Sequence, residues 1–228
     1  MNSLGFRTIS IDWPSYGASP SPPSPSTTTP ITFYEAFSEF VVLLSLTNIT
    51  IFGISIGGFV GVKYAASNPA NVSSLYLIGP GGFTPHTLFT RGFCSYMGTS
   101  FGLPPGLFAR LYLWRRTPDT SAMIARASSG AQASPTSRAQ IRSIWKFFTK
   151  PEHDLRKAAG SISCPVHAFF GAKDIVIPAS TDGRELRRAL PKATFDVLKT
   201  GHAPYAEDPV AFNALVGKYV VADRKERP

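Results

Sequence analysis

The feature that most constrains the fold of this chain is a short glycine-rich segment. It joins an apolar run to a helical pattern. Residues 49–52 read as a buried strand, and residues 56–67 carry apolar side chains at helical spacing. Between them Gly53, Ser55 and Gly57 form a Gly-x-Ser-x-Gly pattern. On a sharp strand-to-helix turn, flanking glycines avoid collisions that side chains would cause. The segment predicts an α/β chain in which Ser55 is held on a strained turn as a candidate nucleophile.

Two further segments carry the partners that such a serine needs. Residues 166–170 read as a buried strand, and Asp174 lies in the loop after it. Residues 193–198 alternate like another strand, and His202 lies in the following loop. Parallel strands gather their functional loops at one edge of a sheet, and we therefore expect Ser55, Asp174 and His202 to meet there. Their order along the chain predicts a nucleophile, an orienting carboxylate and a general base.

Other acids and histidines compete less well for these roles. Asp182 opens one predicted helix and Asp208 precedes another, and carboxylates at such positions usually cap the helix. His167 lies within a predicted strand, which favours a satisfied core residue. His86 and His153 lie in a separate segment, between the serine and aspartate motifs.

These motifs together resemble the α/β-hydrolase family, specifically its lid-bearing serine members such as monoacylglycerol-lipase-like and carbon–carbon-bond hydrolases. Residues 4–19 resemble the family's fourth strand and the turn after it, and residues 73–79 resemble its sixth strand. The resemblance implies an α/β fold with a mostly parallel sheet, helices on both faces and an inserted helical lid. The site residues that it implies are the nucleophile Ser55, the base His202, its orienter Asp174, the elbow glycines Gly53 and Gly57, and the backbone N–H of Ile56 as an oxyanion donor.

The resemblance also divides the chain into three parts. Residues 1–83 form the N-terminal part of a hydrolase core with the serine turn, residues 84–160 form the lid, and residues 161–228 carry the Asp and His loops. The lid is rich in aromatic side chains between Phe89 and Trp114. These aromatics either form the lid's own core or wall a pocket for an acyl chain, and both interpretations stay open.

Nothing in the chain matches the family's first three strands or the loop after the third. That loop donates a second oxyanion N–H, and losing one such donor costs about 2.7–4 kcal/mol of barrier. We therefore expect an N-terminally truncated form with weak activity and poor solubility alone. In it, residues 7–12 either lie beside residues 49–52 or leave strand edges unpaired.

Five helices are predicted around these motifs, besides the one after Ser55. Residues 31–46 form the first, with Thr32 as N-cap and Glu35 in the capping-box position. An exposed extended loop over residues 19–30 precedes it. Helical spacing predicts two more in the lid and two that cover the sheet, over residues 105–114, 137–148, 182–190 and 210–221.

The net charge of +9 raises the question of an anionic partner. Basic residues occur in twos and threes without a recognisable nucleic-acid module, so no nucleic-acid partner is predicted. Peripheral contact with an anionic membrane is the favoured alternative. Cysteine and histidine spacings lack a tetrahedral metal pattern, so neither metal nor cofactor is predicted.

The compartment follows from the cysteines and the apolar runs. Cys94 and Cys164 stand far apart with no secretory leader ahead of them, which favours a reducing, intracellular location. No apolar run reaches the roughly 18 residues that span a bilayer. The chain is expected to be cytoplasmic or peripheral to a membrane.

The function predicted from these residues is hydrolysis of an ester-like substrate with a hydrophobic acyl or lipid group, through an acyl-enzyme on Ser55. The alternative is a catalytically weak or inactive protein of the same fold that binds a hydrophobic ligand or partner.

Overall fold

The computed structural model describes residues 5–129 and 134–225 of the 228-residue chain. Its described residues form a four-stranded sheet in which each strand lies beside the next in chain order and every pairing is parallel. The strands are β1 (Ile49–Ile54), β2 (Val72–Ile78), β3 (Val166–Gly171) and β4 (Thr194–Leu198). The two central strands, β2 and β3, are almost wholly buried, as expected for a parallel sheet covered on both faces.

Helices fill the connections between these strands. They are α1 (Pro30–Leu43), α2 (Ile56–Ser67), α3 (Leu88–Met97), α4 (Pro105–Tyr112), α5 (Pro118–Ser128), α6 (Pro135–Phe147), α7 (Arg156–Ala159), α8 (Asp182–Ala189), α9 (Pro204–Glu207) and α10 (Pro209–Lys225). Each predicted helix is present with ends shifted by a few residues. Within the described residues, no helix is both long enough and apolar enough to cross a membrane.

Neighbouring residues of β2 point to opposite faces of the sheet and into separate cores. Leu75 packs in the larger core with residues of α1, α2 and α8, including Phe59 and Leu186. Tyr76 packs on the other side with α10, including Phe212. Alternate side chains of one strand therefore reach both layers of helices, and the predicted α/β architecture with helices on both faces is confirmed.

Three predictions for the N-terminal part are wrong. Residues 6–13 form no strand, residues 7–10 are exposed, and the sheet of the described residues consists of β1 to β4. The cap of α1 is Thr29, whose reciprocal partner is Thr32 in place of Glu35, because the helix starts at Pro30. The segment before α1 contains a 3-10 turn, Pro25–Thr27, that contacts α6, so it is only partly exposed.

Residues 84–160, called the insertion below, lie between β2 and β3 and contain α3 to α7. Phe93, Phe108 and Trp145 pack against one another in a local core. Phe89 and Phe101 are instead 80% and 82% exposed. The aromatics of this region thus form a core of their own only in part, and the described structure places others in solvent.

Candidate active site

Ser55 occupies a strained turn at the carboxyl end of β1, one residue before α2 begins. Its φ of 50° and ψ of −113° lie in a region that residues with side chains rarely adopt, at a cost of about 1–3 kcal/mol. Backbone bonds on both sides hold this geometry. The Ser55 N–H donates to Ile78 O at 3.0 Å, and Ser55 O accepts from Phe59 N at 3.1 Å and Gly81 N at 2.9 Å.

Sterics at the turn explain two glycines, of which sequence analysis named one. A Cβ at Gly53 would lie 2.5 Å from the carbonyl oxygen of Gly57, and a Cβ at Gly58 would lie 2.6 Å from Cβ of Pro80. A Cβ at Gly57 would meet only the Trp13 ring, at an ordinary 4.0 Å. The close approach of β1 to α2 therefore requires Gly53, and the packing of Pro80 against α2 requires Gly58. The structure gives no steric reason for Gly57, contrary to expectation.

Asp174 and His202 form a buried hydrogen-bonded pair. The Asp174 Oδ2 accepts from His202 Nδ1 at 2.6 Å. The other carboxylate oxygen, Oδ1, accepts backbone N–H groups of Val176 at 2.8 Å and Ile177 at 3.0 Å. Asp174 thus holds the imidazole in one orientation while the loop holds Asp174, as predicted from the two strand-loop motifs.

The chain after β2 joins this pair to the serine turn. The backbone of Ile78 bonds to Ser55, and the next residue, Gly79, has a φ of 46°. A Cβ at Gly79 would lie 3.2 Å from ring atoms of His202 and 3.4 Å from Asp174 Oδ2. Gly79 is the residue after Ile78, which bonds to Ser55. Its missing side chain therefore leaves space for the Asp174–His202 pair next to the serine turn. Among the described residues, the Ser55 hydroxyl makes no hydrogen bond with His202.

Glu207 fixes the loop that carries His202, a role that sequence analysis did not assign. Its buried carboxylate accepts the backbone N–H of Gly201 at 2.8 Å and of Ala203 at 3.2 Å. It also accepts the N–H of Arg115, in the insertion, at 2.8 Å. Because the carboxylate accepts the N–H groups of the residues on both sides of His202, it restricts the backbone at that histidine strongly.

Further contacts tie the His202 loop to the insertion. The N–H of His202 donates to Tyr112 O at 3.0 Å, and the Tyr112 ring lies edge-on to the imidazole with centroids 5.5 Å apart. Burial raises the pKa of Tyr112 to about 12, so its hydroxyl stays neutral beside the histidine. Arg115 also pairs with Asp208 at 2.7 Å. The position of the histidine is therefore set partly by the segment between α4 and α5.

A second histidine, His153, lies beside the serine turn, and its ring makes no hydrogen bond within the described structure. It is 4% exposed and stacks on Phe59, with ring centroids 5.5 Å apart. Its Nε2 is 3.3 Å from the site a Cβ on Gly81 would occupy, and neither ring nitrogen has a hydrogen-bond partner in the described structure. Burial, with a smaller contribution from the neighbouring His86, lowers the pKa of His153 to about 4.

The rival residues have other surroundings. Asp182 accepts from the hydroxyls of Thr84 and Thr181, and burial raises its pKa. It is the first residue of α8 and not its cap, which corrects the expectation. Asp208 accepts from the N–H of Ala211 at the start of α10, as a cap does. His167 is bonded through both ring nitrogens and is the core residue that was expected.

Ile56 opens α2, where a backbone N–H has no carbonyl four residues earlier in the helix to bond with. The N-terminus of a helix also favours negative charge. Its N–H is thus suited to donate a hydrogen bond to an oxyanion next to Ser55.

Among the described residues, no group of three or more His, Cys, Asp or Glu side chains could hold a metal ion. Cys94 and Cys164 are free thiols whose pKa values burial raises to about 11.

Comparison with known proteins decides the family. A family model described as the alpha/beta hydrolase family matches residues 2–215. The chain belongs to the α/β-hydrolase family. In this α/β hydrolase, Ser55, Asp174 and His202 lie in the loops after β1, β3 and β4, at the carboxyl edge of the sheet.

Solved structures of other α/β hydrolases are similar to it over most of its length. The enol-lactonase of Burkholderia xenovorans LB400 is 20% identical with a TM-score of 0.73, covering 92% of this chain and 79% of that one. An esterase of Exiguobacterium antarcticum is 23% identical with a TM-score of 0.72, covering 92% and 79%. These likenesses show the fold of this α/β hydrolase.

Curated relatives of this α/β hydrolase match shorter stretches. A probable 1-acylglycerol-3-phosphate O-acyltransferase of Oryza sativa subsp. japonica is 38% identical over 85 residues, which is 36% of this chain and 20% of that protein. The matched stretch spans about a fifth of that relative's length.

Proposed function

We propose that this α/β hydrolase cleaves ester-like substrates through an acyl-enzyme on Ser55, with His202 as general base and Asp174 as its orienter. The observation that carries the proposal is the Asp174–His202 pair, joined at 2.6 Å and buried at the edge of the sheet where Ser55 stands on its strained turn. A nucleophile, a base and an orienting acid on three neighbouring loops are the arrangement that acyl transfer uses.

The chemistry assigns one task to each residue. Because Nδ1 of His202 donates to Asp174, Nε2 is the nitrogen that accepts the Ser55 proton. The Ser55 oxygen then bonds to the carbonyl carbon of the substrate. The carbonyl oxygen becomes an oxyanion, which accepts a hydrogen bond from the Ile56 N–H. The carbon–oxygen bond to the leaving alcohol breaks as His202 returns the proton to it. Water, deprotonated by His202, releases the acid in the second half-reaction. Ser55 Oγ must reach Nε2 of His202 in the substrate complex.

Ester substrates with a hydrophobic acyl group fit the surroundings best. The Tyr112 ring lies against His202, and the insertion around it exposes apolar side chains such as Phe89 and Leu111. The names of the relatives and similar structures, an esterase, an enol-lactonase and an acyltransferase, support acyl chemistry. A series of p-nitrophenyl esters from acetyl to decanoyl tests this; medium-length acyl groups should have the highest kcat/KM. Equal kcat/KM values along the series would argue against an apolar pocket wall that contacts the acyl chain.

A fluorophosphonate probe tests the nucleophile directly. Wild-type protein should be labelled once, at Ser55, and the Ser55→Ala variant should be neither labelled nor active. Ser121→Ala, which changes an exposed serine on α5, is the matched control and should behave as wild type. Wild type that folds but resists the probe would instead favour the inactive, ligand-binding alternative.

Transfer of the acyl group to a lipid hydroxyl is a second candidate, because a curated relative carries the name 1-acylglycerol-3-phosphate O-acyltransferase. The same acyl-enzyme on Ser55 would react with an acceptor alcohol in place of water. Product analysis with 1-acylglycerol-3-phosphate present separates the two: a diacyl product that requires Ser55 indicates transfer, and free acid alone indicates hydrolysis.

A further inference from the structure

The positive charge of this chain is concentrated in the insertion. Residues 84–160 contain 11 lysines and arginines but only 3 aspartates and glutamates, and so hold +8 of the net charge of +9. The rest of the chain is close to neutral. The basic residues occur in twos and threes along the chain, but most of the net charge falls on this one segment and its group of helices.

Most of these cations are not neutralised by acidic side chains. Arg115 and Arg156 form ion pairs, and Arg116 bonds to backbone carbonyls. No ion pair in the described structure involves the arginines and lysine that lie along α3 to α6, which are Arg91, Arg110, Arg126, Arg138, Arg142 and Lys146. All of these except the half-buried Arg142 are exposed. The insertion thus presents a basic surface to its surroundings.

A cavity in the same region combines these cations with apolar side chains. It encloses about 310 Å³ between the chain after α3 and the side of α6. Arg138 and Arg142, one helical turn apart on α6, line it together with Leu103, Leu107 and Ile141. Guanidinium groups beside an aliphatic wall suit an amphiphile with an anionic head.

Large apolar side chains protrude around this basic surface. Phe101, in the turn that lines the cavity, is 82% exposed, and Leu88 at the start of α3 is 92% exposed. Fully burying one such side chain stabilises it by about 1.5–3 kcal/mol of free energy, so these side chains favour an apolar environment over water. Aromatic and aliphatic side chains among basic ones are the composition of elements that lie in a lipid interface.

We propose that the insertion docks on an anionic lipid surface, with Arg138 and Arg142 against lipid phosphates and Phe101 in the interface. Charge complementarity selects this partner, because each basic side chain near an anionic membrane adds to the affinity. The protruding Leu88 and Leu107 favour lipid over nucleic acid, because an aliphatic side chain neither stacks on a base nor contacts a phosphate. The docking does not depend on the chemistry at Ser55.

Vesicle co-sedimentation of the full chain tests the proposal. Wild type should bind vesicles of phosphatidylcholine mixed with phosphatidylserine and should stay in solution with phosphatidylcholine alone. The double variant Arg138→Gln/Arg142→Gln should lower the partition coefficient about 20- to 30-fold, since each basic side chain contributes about fivefold. Phe101→Ser, at an exposed position that the fold does not need, should also weaken binding. Arg138→Lys/Arg142→Lys should retain it.

Matched controls lie outside the insertion. Arg184→Gln/Lys192→Gln removes the same charge from exposed positions, and Val210→Ser removes an exposed apolar side chain from α10. Both should bind as wild type does. The proposal is overturned if wild type binds neutral vesicles equally well, if the control pair weakens binding as much as the insertion pair, or if a single-stranded nucleic acid displaces the protein from the vesicles.

Discussion

The described part of the chain contains two buried aspartate–histidine pairs, one at the carboxyl end of β3 and one within that strand. His202 Nδ1 meets Asp174 Oδ2 at 2.6 Å, and His167 Nε2 meets Asp223 Oδ1 at 3.0 Å. The chemistry of the two pairs is the same. Their surroundings differ, and that difference separates a candidate catalytic pair from a structural one.

The pair within β3 is a closed network. His167 Nδ1 bonds to Thr194 Oγ1 at 2.9 Å, and the second oxygen of Asp223 accepts from the Tyr76 hydroxyl at 2.7 Å. The His167 ring also stacks on Tyr219. Each nitrogen of the ring is bonded within the protein, so the pair is suited to holding β3, β4 and α10 together.

The pair at the strand end is open on one side. Asp174 accepts three hydrogen bonds, but Nε2 of His202 has no hydrogen-bond partner among the described residues. A histidine at a sheet edge whose one ring nitrogen bonds to an aspartate, while the other bonds to no protein group, is suited to act as a general base. Incomplete bonding at a strand end is thus what distinguishes the proposed base.

The largest expected effect is on catalysis, at the open pair. His202→Asn keeps an amide nitrogen near the position of Nδ1 to bond Asp174, but it removes Nε2. Ester hydrolysis should fall by about a thousandfold or more, because the members of such a triad act as a unit. Steady-state kinetics and urea unfolding should show the loss in kcat with little change in stability. Activity near the wild-type level would remove His202 from the mechanism.

The matching change in the closed pair should act on stability. His167→Asn leaves the buried Asp223 carboxylate without its histidine, which typically costs about 3–5 kcal/mol. His167→Gln retains a nitrogen near Nε2 and should lose less. Chemical unfolding measures both variants, and the folded fraction of each should keep the wild-type kcat. A loss of kcat with unchanged stability would erase the distinction between the two pairs.

A third histidine, His153, sharpens the comparison because its ring nitrogens have no hydrogen-bond partner among the described residues. Its pKa falls from 6.5 to about 4 in the fold, so the unfolded chain takes up the proton first as the pH drops. Its contribution to stability is complete above about pH 6.5 and is lost toward pH 4, by up to about 3 kcal/mol. His153→Leu should therefore flatten the pH dependence of urea unfolding between these values. His86→Gln should flatten it less, because the burial of His153, the larger cause of its lowered pKa, remains.

The strands, most helices and the proposed triad could be predicted because each depends on local pattern. Ser55, Asp174 and His202 all directly follow apolar strand runs, and His167 lies inside one. The strand predicted over residues 7–12 from the family resemblance is wrong, because strand pairing depends on a neighbour that the local sequence does not reveal.

Residues that act through distant neighbours could not be found in this way. Gly58 is required because Pro80 packs against it, and Gly79 because the Asp174–His202 pair lies beside it. Glu207 looks in sequence like a surface acid between a tyrosine loop and a proline. Only the fold brings its carboxylate under the backbone of Gly201 and Ala203.

Glu207 provides the smallest expected effect and the finest test of the comparison. Glu207→Gln keeps the shape of the side chain but turns one oxygen into a donor that faces backbone N–H groups, which typically costs about 1–3 kcal/mol. If the open pair depends on a fixed histidine loop, kcat should also fall by about 10- to 100-fold, since small misplacements of a catalytic group are costly.

Glu39→Gln, on the exposed side of α1, is the control and should change neither kcat nor the unfolding free energy. Measured kcat, KM and unfolding free energy separate the two roles: a positioning residue lowers kcat in the folded protein, whereas a purely structural residue lowers only the stability. Wild-type kcat in folded Glu207→Gln would mean that Asp174 alone orients His202.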